Sequence, residues 1–216
     1  ARCPETGWLV PLAPSWVVSP RQRVIAKLVP NSELKRFDIE LEFGVSASAL
    51  EAAQKGTVSD GEMVYELDGK TYRTSIKTLR GDYRKEDGST GNRLRLWAKS
   101  DFKPHPSDIF QERMYAIQWI TKDTLNTGRQ ETYFAAPTQA DLEHERAVEK
   151  ILAENLSRWQ DEGLVPNMAI EPGYNTEQPI RERGWTHWHH MFSPRDLLKL
   201  ALLRKHISEP ALVPEF

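Results

Sequence analysis

The chain has 216 residues, of which 39% are hydrophobic and 28% charged, and its formal net charge is −2. This is the composition of a globular protein, and it excludes a chain that is basic throughout, so any nucleic-acid-binding surface must be local. One cysteine, Cys3, excludes an internal disulfide, and no apolar run approaches the roughly 20 residues of a membrane span. We therefore expect a cytoplasmic location and no membrane partner.

The first part of the chain predicts β-structure. Residues 24–29 form an apolar run bounded by prolines, and residues 37–43 alternate apolar and acidic side chains, as a strand with one buried face does. Residues 46–55 predict a short helix capped by a serine and ended by Gly56. The opening residues, ARCPETGW, match neither a signal peptide nor an initiator-methionine start, so we expect a segment of a longer protein.

A β-hairpin follows the short helix. Residues 63–67 and 70–74 flank an Asp-Gly pair, which favours a type I′ turn because both of its central residues need positive φ. A second Asp-Gly pair at residues 87–88 predicts a loop before a strand at residues 93–97.

The sequence pattern changes between residues 99 and 107, where two prolines predict a domain boundary. We therefore predict a β-rich hairpin region at residues 1–104 and an α/β region at residues 105–216, with one compact domain as the alternative. Residues 114–120 could form a strand or a helix, and residues 131–136 predict a strand.

Two longer helices are predicted after that strand. Thr138 and Asp141 form the start of a helix that runs to about Gln160, and Ser193-Pro194 caps the last helix. The predicted fold class is α+β, with hairpins in the N-terminal half and an α/β C-terminal half.

The sequence lacks two short motifs that cofactor and substrate sites use. It has no Gly-x-Gly, the glycine pattern that cradles a nucleotide-like cofactor, and no Pro-Pro pair. We therefore expect no cofactor and no catalytic residue in this segment.

Three stretches nevertheless resemble one family: residues 3–12 (CPETGWLVPL), 108–113 (DIFQER) and 184–198 (GWTHWHHMFSPRDLL). They are similar to the large adenine-specific DNA methylases described with a zinc ribbon and often with an N-terminal domain of unknown function. The resemblance implies a segment inserted between the glycine motif and the Pro-Pro motif. It also implies S-adenosylmethionine as the cofactor of the full-length enzyme, with DNA and the rest of the methylase chain as partners. The zinc does not carry over, because a ribbon needs two Cys-x-x-Cys pairs and Cys3 is followed by Thr6.

A basic stretch runs from Lys77 to Lys103, with eight basic residues against four acidic ones, a local balance of +4. Clustered Arg and Lys favour phosphate contacts, although ordinary solvated charge is the alternative. On a strand, Arg93 and Arg95 would share one face while Leu94 and Leu96 pack beneath. The candidate DNA-binding residues are Arg80, Arg84, Arg93, Arg95, Lys99 and Lys103.

Histidines at positions 187, 189 and 190 allow two interpretations: a metal site, alone or with Cys3, or an aromatic corner packed with Trp185 and Trp188 before the last helix. The corner is the favoured interpretation, so no metal ligand is predicted.

Arg195 could contact a phosphate, but pairing with Asp196 or another carboxylate is favoured. The tryptophans at positions 8, 16, 119 and 159 are expected in the core.

Three functions remain open. The first is a non-catalytic module that helps an adenine-specific DNA methylase to bind or recognise DNA. The second is a structural or protein-interaction module that packs on the methylase core or on a partner subunit. The third is a small metal-dependent enzyme built on the histidines.

Overall fold

The computed structural model describes residues 1–174 and 176–208, which form an α+β protein as predicted. The chain divides into two compact units, and each is discontinuous in sequence. The first unit combines Ala1–Thr90 with Ile109–Thr138, and the second combines Gly91–Asp108 with the residues from Gln139 onward. The boundary predicted at residue 104 falls inside Gly91–Asp108, a segment of the second unit.

The first unit contains two three-stranded antiparallel sheets. One sheet has the order β1-β2-β3 (Val17–Ser19, Val24–Asn31, Arg36–Glu42), followed by helix α1 (Ala47–Ala52) with Ser46 as its N-cap. The other has the order β4-β5-β6 (Val58–Ser59, Glu62–Leu67, Lys70–Ser75), followed by helix α2 (Ile76–Arg80).

The turn between β5 and β6 follows the prediction. Asp68 has φ 51° and Gly69 has φ 74°, the positive values of a type I′ hairpin. Strand β5 alternates buried and more exposed side chains, which places Met63 and Tyr65 in a core with Trp8 and Phe37.

Two further hairpins complete the strands. Strand β7 (Tyr83–Arg84) pairs with β8 (Thr90–Gly91) around the second Asp-Gly pair, and β9 (Ile117–Ile120) pairs with β10 (Thr132–Ala135). Gln22, between β1 and β2, ties the latter hairpin to the first sheet, because its Nε2 donates to the Thr132 carbonyl oxygen at 2.7 Å.

The second unit is built on helices α3 (Gln139–Asp161), α4 (Glu177–Arg183) and α5 (Pro194–Ser208). Helices α3 and α5 pack together through Leu152, Leu156, Leu197 and Ala201, which are all buried. The helical spacing of these residues puts them on one stripe of each helix, which explains why the sequence predicts both elements.

The predicted strand at residues 93–97 is wrong. Residues 92–98 pair with no strand in the described structure. Helices α2 and α4 were not predicted, because each is too short to show a helical period. None of the described helices combines the length and apolar character needed to cross a bilayer.

Candidate functional site

The predicted basic stretch does not form one surface element. Its residues up to Thr90 belong to the first unit and those from Gly91 to the second. The six candidate DNA-binding residues fall into two groups according to whether a carboxylate already pairs with them.

Arg80 is paired within the first unit. It donates from Nε and Nη2 to the two carboxylate oxygens of Asp82, at 3.1 and 2.8 Å, and both side chains are largely buried. A guanidinium satisfied by a two-pronged contact of this kind serves the fold rather than a phosphate.

Arg95 is the centre of an ion-pair network in the second unit. Its Nε and Nη2 donate to Asp108 at 2.8 Å each, and its Nη1 donates to Asp101 Oδ2 at 2.5 Å. Asp101 also accepts from the backbone N–H of Ala98 at 2.8 Å. The hydrogen bond from Arg95 holds the pKa of Asp108 below its usual range. Arg95 therefore positions the segment around residue 98.

The expected alternation of arginines and leucines is also wrong. Leu96 is 61% exposed, whereas the Arg95 side chain is 30% exposed and faces its two carboxylates. Desolvated Asp101 and Asp108 attract the guanidinium more strongly than water does, and without a paired strand nothing holds the period of two.

The remaining four candidate DNA-binding residues also divide into paired and unpaired cations. Lys103 pairs with Glu149 of α3. Arg84, Arg93 and Lys99 are exposed and make no ion pair within residues 1–174 and 176–208. Three of the six cations are thus open to solvent, one in the first unit and two in the second.

The three clustered histidines lie before and within the 3-10 turn Trp188–Met191, and two of them are buried. His190 Nδ1 lies 3.1 Å from the backbone nitrogen of Thr186 and accepts its proton, while His190 Nε2 lies 3.1 Å from the Ala98 carbonyl oxygen. Since a carbonyl can only accept, Nε2 carries the proton and the ring is neutral.

His189 has the same tautomer. Its Nε2 lies 3.1 Å from the Asp101 carbonyl oxygen and must donate, so its Nδ1 accepts from Gln160 Nε2 at 3.3 Å. Burial lowers the pKa of both rings, and lowers that of His190 to about 4. Both imidazoles are therefore neutral at pH 7.

This arrangement argues against a three-histidine metal site. A metal needs the imidazole lone pair, and in His189 and His190 an N–H donor already occupies it. Within the described residues, no group of three His, Cys, Asp or Glu side chains could hold a metal ion. Cys3 is buried in the first unit, with Sγ 3.7 Å from Thr74 Oγ1.

Part of the predicted aromatic corner is present: Trp185 belongs to it together with Trp97, which the sequence did not indicate for it, whereas Trp188 makes no ring contact within residues 1–174 and 176–208. Trp97 packs edge-on against Trp185, with ring centroids 6.1 Å apart, and lies 5.1 Å from the His190 ring. Thr186 Oγ1 donates to the Trp97 carbonyl oxygen at 2.6 Å. Together with the histidines, these contacts fix residues 97–101 onto the region before α5.

Two other predictions have clear outcomes. Arg195 pairs with Glu145 of α3, which confirms a structural carboxylate partner. The tryptophans at positions 8, 16 and 159 are buried as expected, but Trp119 is 38% exposed and lies directly opposite the 49% exposed Tyr133 in the β9–β10 hairpin.

Sequence reasoning missed Asp101 and Asp108, the partners of Arg95, as well as Gln160 beside His189. The acids flanking two prolines were the visible signal for the turn. Gln160 gave none, because it looks like an ordinary polar residue near the end of a helix.

Comparison of the chain with protein-family models, curated proteins and solved structures finds no match.

Proposed function

We propose that the chain is a non-catalytic module of a cytoplasmic, S-adenosylmethionine-dependent, adenine-specific DNA methyltransferase and helps that enzyme to hold DNA. The resemblance of residues 3–12, 108–113 and 184–198 to that family supports the enzyme class. The contact with DNA rests on one structural observation, the exposed cations Arg84, Arg93 and Lys99 that no described carboxylate neutralises.

An unpaired, exposed guanidinium suits a phosphate for two reasons. It has no ion pair to lose, and its planar fork binds two oxygens at once. Arg80, Arg95 and Lys103 would first have to give up a carboxylate, so they are assigned to the fold. The candidate DNA contacts thereby narrow to half of the predicted set.

The test measures binding of the chain to a DNA duplex of about 20 base pairs over a range of salt concentrations. Fluorescence anisotropy of the labelled duplex reports the binding. The variant Arg84→Ala, Arg93→Ala should bind more weakly at low salt. The slope of log affinity against log salt should fall by roughly one for each lost phosphate contact. The matched control is Arg146→Ala, an exposed cation of α3 outside the basic stretch.

A folded double variant with unchanged affinity and slope would show that these arginines are ordinary solvated charge. If the wild-type chain itself shows no salt-dependent binding, DNA contact by this module is rejected altogether.

The second candidate, a module that packs on the methylase core or a partner subunit, is favoured by a different surface. Trp119 and Tyr133 face solvent as a cross-strand pair, with Ile120 38% and Leu125 51% exposed in the same hairpin. Exposed aromatic residues are enriched where proteins associate. If the chain does not bind DNA, this exposed hairpin surface favours the protein-interaction function.

A further inference from the structure

The second unit contains a half-open cavity of about 430 Å³ between α3 and the turn at residues 98–102. Its size lies in the range that small-molecule sites occupy. Its polar lining consists of Lys99, Ser100, Ser157 and Gln160, and its apolar lining of Ala98, Phe102, Ala153 and Leu156.

The turn that forms one wall is held from several directions. His190 donates to the Ala98 carbonyl oxygen, and His189 donates to that of Asp101. The Asp101 carboxylate accepts from Ala98 N–H and from Arg95. A wall held in this way loses little freedom when a ligand binds, which favours affinity.

Gln160 lines this cavity, and its side-chain amide has a defined orientation. It is 3% exposed, and its Nε2 donates to His189 Nδ1 at 3.3 Å and to the Pro166 carbonyl oxygen at 3.4 Å. Because His189 must donate from Nε2, its Nδ1 can only accept, which fixes which way the Gln160 amide points. Oε1 accepts no hydrogen bond within the described residues and is left for a ligand N–H.

Hydrogen-bond donors lie on the turn and on an exposed position of α3. Lys99 is exposed and makes no ion pair within the described parts of the chain, and the hydroxyls of Ser100 and Ser157 flank the same cavity. An ammonium group and two hydroxyls can together donate to several oxygens of one anion, as a phosphate requires.

We propose that this cavity binds a nucleotide whose base carries an exocyclic amino group. The amino group donates to Gln160 Oε1, the flat base lies against the apolar lining around Phe102 and Leu156, and the phosphate is held by Lys99 and the two serines. This site shares Lys99 with the proposed DNA contact but goes beyond it, since a mononucleotide can bind here even if Arg84 and Arg93 contact no duplex.

The experiment titrates the full chain with deoxyadenosine monophosphate by calorimetry and follows the backbone amides by NMR. Binding with shifts centred on Lys99, Ser100 and Ser157 is expected. The same nucleotide lacking the 6-amino group should bind about three- to tenfold more weakly, the effect of one neutral hydrogen bond. The ligand is changed here because Gln160 is buried and supports His189.

Two variants address the phosphate side and the cavity itself. Lys99→Ala and Ser157→Leu should each weaken binding, the first by about tenfold through loss of a charged contact and the second also by filling the space. Both side chains are exposed, so the fold should persist, and Lys150→Ala is the matched control on α3.

The outcomes are separable. A short deoxyadenosine oligonucleotide that binds more tightly than the mononucleotide identifies a DNA strand as the source, and the reverse identifies a free nucleotide. Inorganic phosphate that binds as well as the nucleotide would overturn the role of the base. Absence of binding at millimolar nucleotide, or equal binding by wild type and both cavity variants, would overturn the site.

Discussion

Acid should destabilise the second unit through His190. This ring is neutral and 3% exposed, and its two nitrogens are committed to one acceptor and one donor role. Protonation would place an N–H on Nδ1 directly against the N–H of Thr186, so the charged form breaks a hydrogen bond as well as losing its water.

The magnitude follows from the pKa. Burial lowers the pKa of His190 from 6.5 to about 4, so the unfolded chain binds this proton more readily than the folded chain between those values. Stability is therefore fully present above pH 6.5, falls as the pH drops below it, and stops falling below about 4. Between pH 7 and pH 5 the expected loss is about 2 kcal/mol from His190 alone. His189, whose pKa burial also lowers, acts in the same direction.

The assay is urea unfolding followed by tryptophan fluorescence, because Trp97 lies beside the ring of His190. The comparison variant is His190→Gln, whose amide can still accept and donate but does not titrate in this range. Its loss of stability between pH 7 and pH 5 should be smaller than that of the wild type by about 2 kcal/mol. His144→Gln, at an exposed position of α3, is the control and should follow the wild type.

The reasoning would be refuted by an NMR titration in which the His190 ring protonates at or above pH 6 in the folded chain. An equal loss of stability in wild type and His190→Gln would refute it as well.

Three further measurements test the remaining inferences. Arg95→Ala should lower the free energy of unfolding by about 3 kcal/mol in urea titrations, because Asp101 and Asp108 lose the partner that compensates their burial; no change would assign them another partner. Gly184→Ala should cost more than about 2 kcal/mol in the same assay, since Gly184 has φ 75° and an added Cβ would lie 2.1 Å from the Arg95 carbonyl oxygen; a thermal midpoint equal to that of wild type would contradict this. Calorimetric titration with S-adenosylmethionine should give no specific heat, and a micromolar dissociation constant would reverse the assignment of a non-catalytic module.

Local patterns were sufficient for much of the secondary structure. The Asp68-Gly69 turn needs positive φ at two successive residues, and the alternation of residues 37–42 needs only one more buried face. Phe43, the last apolar residue of the predicted pattern, lies beyond strand β3 and is 56% exposed. Apolar residues at helical spacing predict helix α3. In each case the interactions that decide the structure join residues a few positions apart, which is why the sequence reveals them.

The roles of the candidate site residues depend on long-range contacts, which no local sequence pattern predicts. Arg95 meets Asp108 across 13 residues, while His189 and His190 meet the carbonyl oxygens of Asp101 and Ala98 across 88 and 92 residues. The segment Gly91–Asp108 belongs to the second unit, which the sequence does not reveal. Without that knowledge, Arg95 is interpreted as a surface cation and the clustered histidines as candidate metal ligands.

By itself, the sequence determined the α+β class, the β5–β6 hairpin and the two long helices, because periodicity and turn chemistry act over a few residues. Only the tertiary structure decided which arginines are free for a phosphate, which tautomers the histidines take and where a cavity opens beside α3. Burial and long-range pairing set the charge and direction of each polar group, and they exist only once distant segments have packed together.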